Sequence, residues 1–467
     1  MNRMKTTYVG CSTPKVDALD KVLGKAVYAG DISFPGMLYG RVRRADIPHG
    51  FIDEIDLSAA EAMEGVVCVL TAKDVPGNNR FGIAFPDQWA LAEDKILSVG
   101  DAVAIVAAET DEIAKDAIRA IRVKYRELPP LTDLHEAMAD GAPQLHANKI
   151  GSYKKKSGGH HYPLGDGGLQ HDPKKRKSEF LHNTKGNVFL HTKVRKGDIE
   201  KGFTQSEVIV ENTYRTQVVD HVYMETESGV GKIDEHGNLV IWNSCQYPFR
   251  DRRQIASVLG LSQNKVRVIQ ATTGGAFGGK EDINVEIYIA LLAKATKRPV
   301  RMVWDREESL AYSTKKHAIE IWTRWGATRE GKLCGMEGKV YGDTGAYAGL
   351  GIFVVKKCGI HLAGPYHIPN IKVDAFSVYT NNVMASAMRG FGVTQAAVAH
   401  EGQMDELAKQ LGIHPLTFRL MNALDVGLST ETGHIMTEDV GIKPTLEKIR
   451  EVVLEDESFA AYREGLM

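Results

Sequence analysis

The sequence predicts an α+β protein built in two units. Strand-like and helix-like patterns are intermixed over about residues 15–130, and the same mixture resumes near residue 191 and runs to residue 467. Between them, residues 150–190 are rich in Lys, His and Gly with almost no apolar periodicity, as in a surface insertion or linker.

In the first unit, VAIVAA (103–108) is a short continuous apolar run of buried-strand length. DEIAKDAIRAI (111–121) places Ile113, Ala117, Ile118 and Ile121 on one helical face, and VKYRELPP reads as a strand stopped by prolines. The insertion carries basic clusters at 154–156 and 174–177, including Arg176. These residues admit RNA binding, but a solvated loop or a docking surface for another subunit is the simpler reading. In the second unit, VIVENTYRTQ is strand-like, and GVGKIDEHGNLVIWNSCQ reads as two strands joined by a turn at His236, Gly237 and Asn238. FRDRRQIASVLG reads as a helix closed by Gly260. KVRVIQA is a strand, and VEIYIALLAKAT a helix with Ile287, Tyr288, Leu291 and Leu292 at helical spacing.

At 467 residues with 43% hydrophobic content, the chain can build two or three domains with proper cores. Lys plus Arg number 58 against 59 Asp plus Glu, so no net field draws nucleic acid or an acidic membrane face. No segment has the apolar length of a membrane span or a signal peptide core, and a cytoplasmic location is expected. The five cysteines, Cys11, Cys68, Cys245, Cys334 and Cys358, are scattered and never in a CxxC arrangement. They read as reduced thiols, with no zinc or iron–sulfur site formed by this chain alone.

TTGGAFGGKED (272–282) is the most informative stretch. From Gly274 to Lys280 it matches a P-loop, but Glu281 stands where Ser or Thr must hold magnesium, and its carboxylate would lie where a triphosphate and metal belong. The loop joins a strand to a helix N-terminus, whose free N–H groups and dipole suit an anion or an oxo group. A plain turn that needs Gly274, Gly275, Gly278 and Gly279 is the other reading. Gln246, in SCQYP, closes a strand upstream, and a second loop, SAMRGFGVTQA (386–396), follows downstream.

With DKVLGKAVYAGDI, GDAVAIVAAE, VKYRELPPLTD, HVYMETES, REES, GDTGAYA, GPYHIPNI and HPLTFRLMNAL in the same order, these motifs resemble the molybdenum-binding large subunit of the xanthine dehydrogenase and aldehyde oxidoreductase family. Within it, the chain looks most like the larger molybdopterin subunit of the split nicotinate dehydrogenase type. The resemblance implies an a/b hammerhead domain over 15–130 and the first half of a molybdopterin-binding α+β domain over 191–467. It further implies molybdenum with molybdopterin cytosine dinucleotide, in a sulfido or selenido form, held in a cleft by the pterin dithiolene rather than by side chains.

By the same resemblance, Gln246 donates a hydrogen bond to a molybdenum oxo group, and Gly275, Ala276, Phe277 and Gly278 form the cofactor-facing loop, Phe277 offering its N–H. Arg389 lines the other side, and Gln395 falls at a pterin contact. Gln246, Phe277 and Arg389 thus neighbour the metal without ligating it. Substrate positions carried over are Glu281, Phe391, whose ring would pack on a flat heterocycle, and Lys357, where purine and nicotinate enzymes commonly have Arg. A salt bridge to Lys280 or a helix-end charge for Glu281, core packing for Phe391 and a solvated lysine at Lys357 stay open.

The chain departs from the family at Ala276, in place of a more usual glycine, and at Thr226, which follows Glu225 where many relatives have Pro. Full-length relatives continue into a second molybdenum domain whose Gly-Val-Gly-Glu glutamate is the general base. The only lookalike is GVGK at 229–232, which lies in an early hairpin and offers Lys232. The base is therefore expected on a second molybdopterin subunit, and electron transfer on 2Fe–2S and FAD subunits. The implied activity is hydroxylation, with water, of an electron-poor C–H carbon of an N-heterocycle such as xanthine, hypoxanthine or nicotinate. An aldehyde oxidoreductase and a non-catalytic assembly or binding subunit are the alternatives. A carbon monoxide dehydrogenase is disfavoured, since Gly390 stands where those enzymes have cysteine.

Overall fold

The computed structural model describes residues 10–83, 85–146 and 186–466. Most of the expected 150–190 insertion, including both basic clusters, lies outside the described residues.

Two sheets organise the chain. The larger has seven strands in the order Val266–Gln270, Leu239–Asn243, Ser228–Ile233, Val300–Val303, Leu38–Arg44, Ala102–Ala108 and Val66–Thr71. Ala102–Ala108 is buried at every residue because strands flank it on both sides and helix Asp111–Ala120 packs against it. That helix starts at Thr110, whose hydroxyl accepts the Ile113 N–H, and it buries Ala114 and Ala117. The first region's strands join the second region's through parallel pairing of Leu38 with Val300 and Tyr39 with Arg301. One apolar core therefore contains Leu38, Ile105, Ile241, Ile289 and Met302 together.

Helix Glu286–Thr296 crosses this sheet with eight of its residues buried. The glycines of GVGK make room for it: a Cβ on Gly231 would lie 2.6 Å from Ile289 Cγ2, and one on Gly229 3.0 Å from Ile289 Cδ1. Lys232 stands 4.4 Å over the Phe34 ring. Both glycines of the motif are thus occupied in packing this helix.

The second sheet has five strands in the order Val208–Thr216, Ile319–Ala327, Leu333–Asp343, Asn370–Val378 and Val188–Lys196. Helices Gly351–Ile360 and Val393–Leu411 cover it and share a core that includes Trp325, Met336, Val355 and Met404. GDTGAYA forms the end of Leu333–Asp343 and the turn beyond it, with Gly345 at φ +67°. Among the described residues no helix is long and apolar enough to cross a membrane. The five cysteines carry free thiols, three of them buried.

Glu431, 6% exposed, lies in a turn beside Lys196, and burial pushes its carboxyl up to about 7. Between the ordinary glutamate value and about 7 the native state holds a proton that the unfolded chain has lost, so stability falls as pH rises through that window. Glu431→Gln is expected to gain roughly 1–3 kcal/mol over the parent at pH 8 and little at pH 4.5. Melting curves at the two pH values check this.

Candidate functional site

The site lies where two parallel strands end. Leu239–Asn243 pairs with Val266–Gln270 in parallel, and Ala271 N–H donates to Asn243 O at 2.9 Å, so the segments leaving both strands emerge side by side. One leads to Gln246, the other into the glycine loop. Gln246 N–H donates to Lys280 O at 2.9 Å. Its side-chain Oε1 accepts the Gly278 N–H at 3.0 Å, and because that partner is a donor, the amide orientation is fixed. Gln246 Nε2 is left as the outward donor.

The second loop packs directly on the first. Arg389 N–H donates to Phe277 O at 2.8 Å, and a Cβ on Gly278 would lie 2.7 Å from Ala387 O. Phe277 (φ +52°) and Phe391 (φ +53°) both hold left-handed backbone that bulky residues rarely adopt, while Gly275 and Gly278 take φ above +100° without penalty. Phe277 is 52% exposed and Arg389 is exposed. Among the described residues, no hydrogen bond engages the N–H groups of Gly275, Ala276 or Phe277. Three successive unpaired backbone donors, the Gln246 amide and the exposed Arg389 are thus brought together by the two paired loops, which makes a donor-rich face. Such a face suits an oxygen-rich or anionic partner.

The helix dipole enters from the second loop rather than the first. Helix Glu286–Thr296 begins beyond the glycines, and its start is occupied by its own Glu286 carboxylate, which accepts the Asn284 N–H at 2.7 Å. The nineteen-residue helix Val393–Leu411 instead starts directly after Phe391 and Gly392, with no acidic residue in its first turn.

Of the expected substrate residues, Lys357 and Phe391 come together. Lys357, exposed on helix Gly351–Ile360, holds Nζ 5.8 Å from the Phe391 ring. Gly392 permits this approach, since a Cβ there would lie 2.2 Å from Val354 O. Glu281 pairs with Arg250 (3.4 Å), whose guanidinium stacks 3.7 Å over Tyr247. Burial raises the Glu281 carboxyl and Arg250 opposes that. Its partner is thus Arg250 and not the adjacent Lys280, which is 2% exposed and bonded to Glu225. A lysine so enclosed cannot reach a triphosphate, which removes the P-loop reading on structural grounds.

Two expected cofactor contacts are turned inward. Gly278 is buried and its N–H is spent on Gln246. Gln395 is 1% exposed, its Oε1 accepting from Thr394 Oγ1 at 2.9 Å and its Nε2 donating to His317 O at 3.4 Å. Both lie behind the open face because they hold the loops that form it. Sequence reading missed Arg250, His221 and Glu225. His221 Nε2 donates to Ala387 O at 2.7 Å, tying HVYMETES to the second loop. That motif and the basic FRDRR run were visible signals, but neither identifies its partner without coordinates.

Residues 181–423 match the molybdopterin cofactor-binding domain, and residues 23–129 the a/b hammerhead domain of aldehyde oxidase and xanthine dehydrogenase. The chain is 41% identical over 447 residues to the nicotinate dehydrogenase large molybdopterin subunit of Eubacterium barkeri, covering 96% of each. It is 39% identical over 411 residues to a Bacillus subtilis (strain 168) protein named as a probable xanthine dehydrogenase subunit, covering 88% of this chain and 50% of that one. Among solved structures it matches the aldehyde oxidoreductase of Desulfovibrio gigas with TM-score 0.83 and 27% identity, over 94% of this chain and 46% of that one. The chain therefore spans nearly all of the first relative and about half the length of the other two.

Proposed function

The chain belongs to the aldehyde oxidase and xanthine dehydrogenase family of molybdopterin-binding proteins, and from that premise we propose that it is the larger half of a split molybdenum hydroxylase acting on an N-heterocycle, a purine or nicotinate. The observation that carries this is the donor face: Gln246 Nε2, the free N–H groups of 275–277 and Arg389, gathered by the Phe277–Arg389 and Gly278–Gln246 hydrogen bonds. Extension over nearly the whole of a protein named as a large molybdopterin subunit supports the split arrangement.

The donor set suits the oxygen-rich metal end of a molybdopterin cofactor, which we take to be the cytosine dinucleotide form. The open donors are mostly neutral, as suits an oxo-rich centre. When bound, the group supplies oxygen transfer to carbon and accepts two electrons. This chain's residues bind and orient. Gln246 and the loop N–H groups would stabilise negative oxygen, and Arg389, on the loop bonded to theirs, would add a positive charge. Phe391 offers its ring to a flat substrate, and Lys357 beside it offers an ammonium to an electronegative edge. Arg250 holds Glu281 in place, leaving the second carboxylate oxygen to accept from a ring N–H. A second molybdopterin subunit would supply the general base, and 2Fe–2S and FAD subunits the electron path.

Assay of the purified complex against xanthine, hypoxanthine, nicotinate and simple aldehydes tests the substrate class. Turnover of a heterocycle is expected; turnover of aldehydes only would sink the claim, and absence of molybdenum and pterin would make the chain a non-catalytic subunit. Glu281→Ala should lower kcat/KM for the heterocycle by about 10–100-fold, through one lost charge-assisted hydrogen bond, with molybdenum content unchanged. Unaltered turnover in that variant would remove Glu281 from the substrate site.

A further inference from the structure

We infer that Glu225 and Lys280 are positioning residues that close the glycine loop into a ring and so aim its donors, an inference that rests on the proposed reading of that loop as a cofactor wall. Glu225 reaches both ends of the loop at once. Its N–H donates to Gly274 O at 3.2 Å, and its Oε2 accepts the Gly274 N–H at 2.7 Å. At the other end, Lys280 Nζ donates to Glu225 O at 2.8 Å and to the same Oε2 at 3.1 Å. Gly274 and Lys280 bracket the three residues whose N–H groups are open and the glycine that fixes Gln246. One residue thus sets the span across which Phe277 must hold its left-handed backbone.

The ring is enclosed and anchored. The Lys280 side chain is 1% exposed and that of Glu225 14%, so water competes little for the pair. The Lys280 ammonium also stands 4.7 Å over the Tyr223 ring. Glu225 sits in a segment that cannot drift. Thr226 Oγ1 donates to Trp304 O at 2.7 Å, and Arg306 Nη2 donates to Tyr223 O at 2.7 Å and Met224 O at 2.9 Å. The glycines are shaped to this clamp: a Cβ on Gly274 would lie 2.6 Å from Glu225 Cβ, and one on Gly279 2.7 Å from Tyr223 Cε1. Strain at Phe277 persists only where surrounding contacts over-determine it, and Glu225 supplies those contacts at both ends.

The test compares Glu225→Ala, Glu225→Gln/Lys280→Met and Val373→Ala, a cavity in the five-stranded sheet's core, within the assembled complex. Amide hydrogen exchange at Gly274, Gly278, Gly279 and Glu281, the loop residues whose N–H groups are hydrogen-bonded, should quicken at least tenfold in both Glu225 variants and stay at the parent rate in Val373→Ala. The double variant removes the unpaired buried charge and should recover melting temperature relative to Glu225→Ala, yet kcat should stay at least tenfold low with KM little changed. Recovery of kcat together with stability, or parent-like exchange in the loop, overturns the inference; an equal kcat loss in Val373→Ala does the same. Should Glu225→Ala fail to fold, the double variant carries the comparison. The exchange measurement probes the ring whether or not the complex carries molybdenum, so a parent complex without molybdenum overturns the functional reading and not the ring.

Discussion

Replacing Gly278 with alanine is expected to destabilise the chain by roughly 2–4 kcal/mol and to strip the assembled complex of its molybdenum cofactor. Two costs add at this position. The backbone sits at φ +107°, which alanine rarely adopts, and its Cβ would stand 2.7 Å from Ala387 O and 2.9 Å from Ala387 C, atoms of the second loop's backbone. Neither loop can yield alone, because Arg389 N–H is bonded to Phe277 O and His221 Nε2 to Ala387 O. Strain is therefore relieved only by parting the loops, which takes Phe277 and Arg389 out of register. Gly412→Ala is the matched comparison: φ is +68°, but nothing lies within 4 Å of its Cβ, so a cost of about 1 kcal/mol is expected with cofactor retained. Thermal unfolding and metal analysis of the two variants separate backbone strain from loop packing. Equal behaviour would show that contact between the loops is not what Gly278 protects.

Gln246→Glu should lower kcat by about 10²–10³-fold while leaving the fold nearly intact. The carboxylate keeps an acceptor for the Gly278 N–H, so that bond survives. The outward atom changes from an N–H donor to an anionic oxygen, which repels an oxo-rich partner where the amide attracts it. Gln246→Ala makes the complementary prediction. It leaves the Gly278 N–H of a buried residue without its acceptor, at a cost of about 1–3 kcal/mol, and should lose stability and rate together. If Gln246→Glu retains full kcat in complexes with full molybdenum content, the amide does not face the reacting centre.

Much of the site was legible because it is written in local residue types. Gln246, the GGAFGGKE loop, Arg389 and Phe391 stand in short motifs, and strand-then-loop patterning around KVRVIQA located the loop's start. The pairing of the loops was not legible. The bond from Arg389 to Phe277 joins residues far apart in sequence, and no periodicity records it. Lys280 and Glu281 show the same limit. Adjacent in the chain, they pair in opposite directions, one with Glu225 and the other with Arg250, because the turn sends one side chain into the core and the other along helix Pro248–Val258. Gln395 shows it too: the motif marks the loop, but the first turn of helix Val393–Leu411 turns that side chain inward toward His317.

Residues near one another in the chain set the elements and the chemistry available: apolar spacing the strands and helices, the glycines a close-approach loop, and Gln246 a neutral donor. Which donors stay open is a matter of long-range packing. That outcome depends on partners brought from remote segments, Glu225 to Gly274 and Lys280, Ala387 against Gly278 and Leu38 beside Val300. A hydrogen-bonding group is available to a ligand only when packing elsewhere leaves it unpaired, and packing is a property of the whole fold.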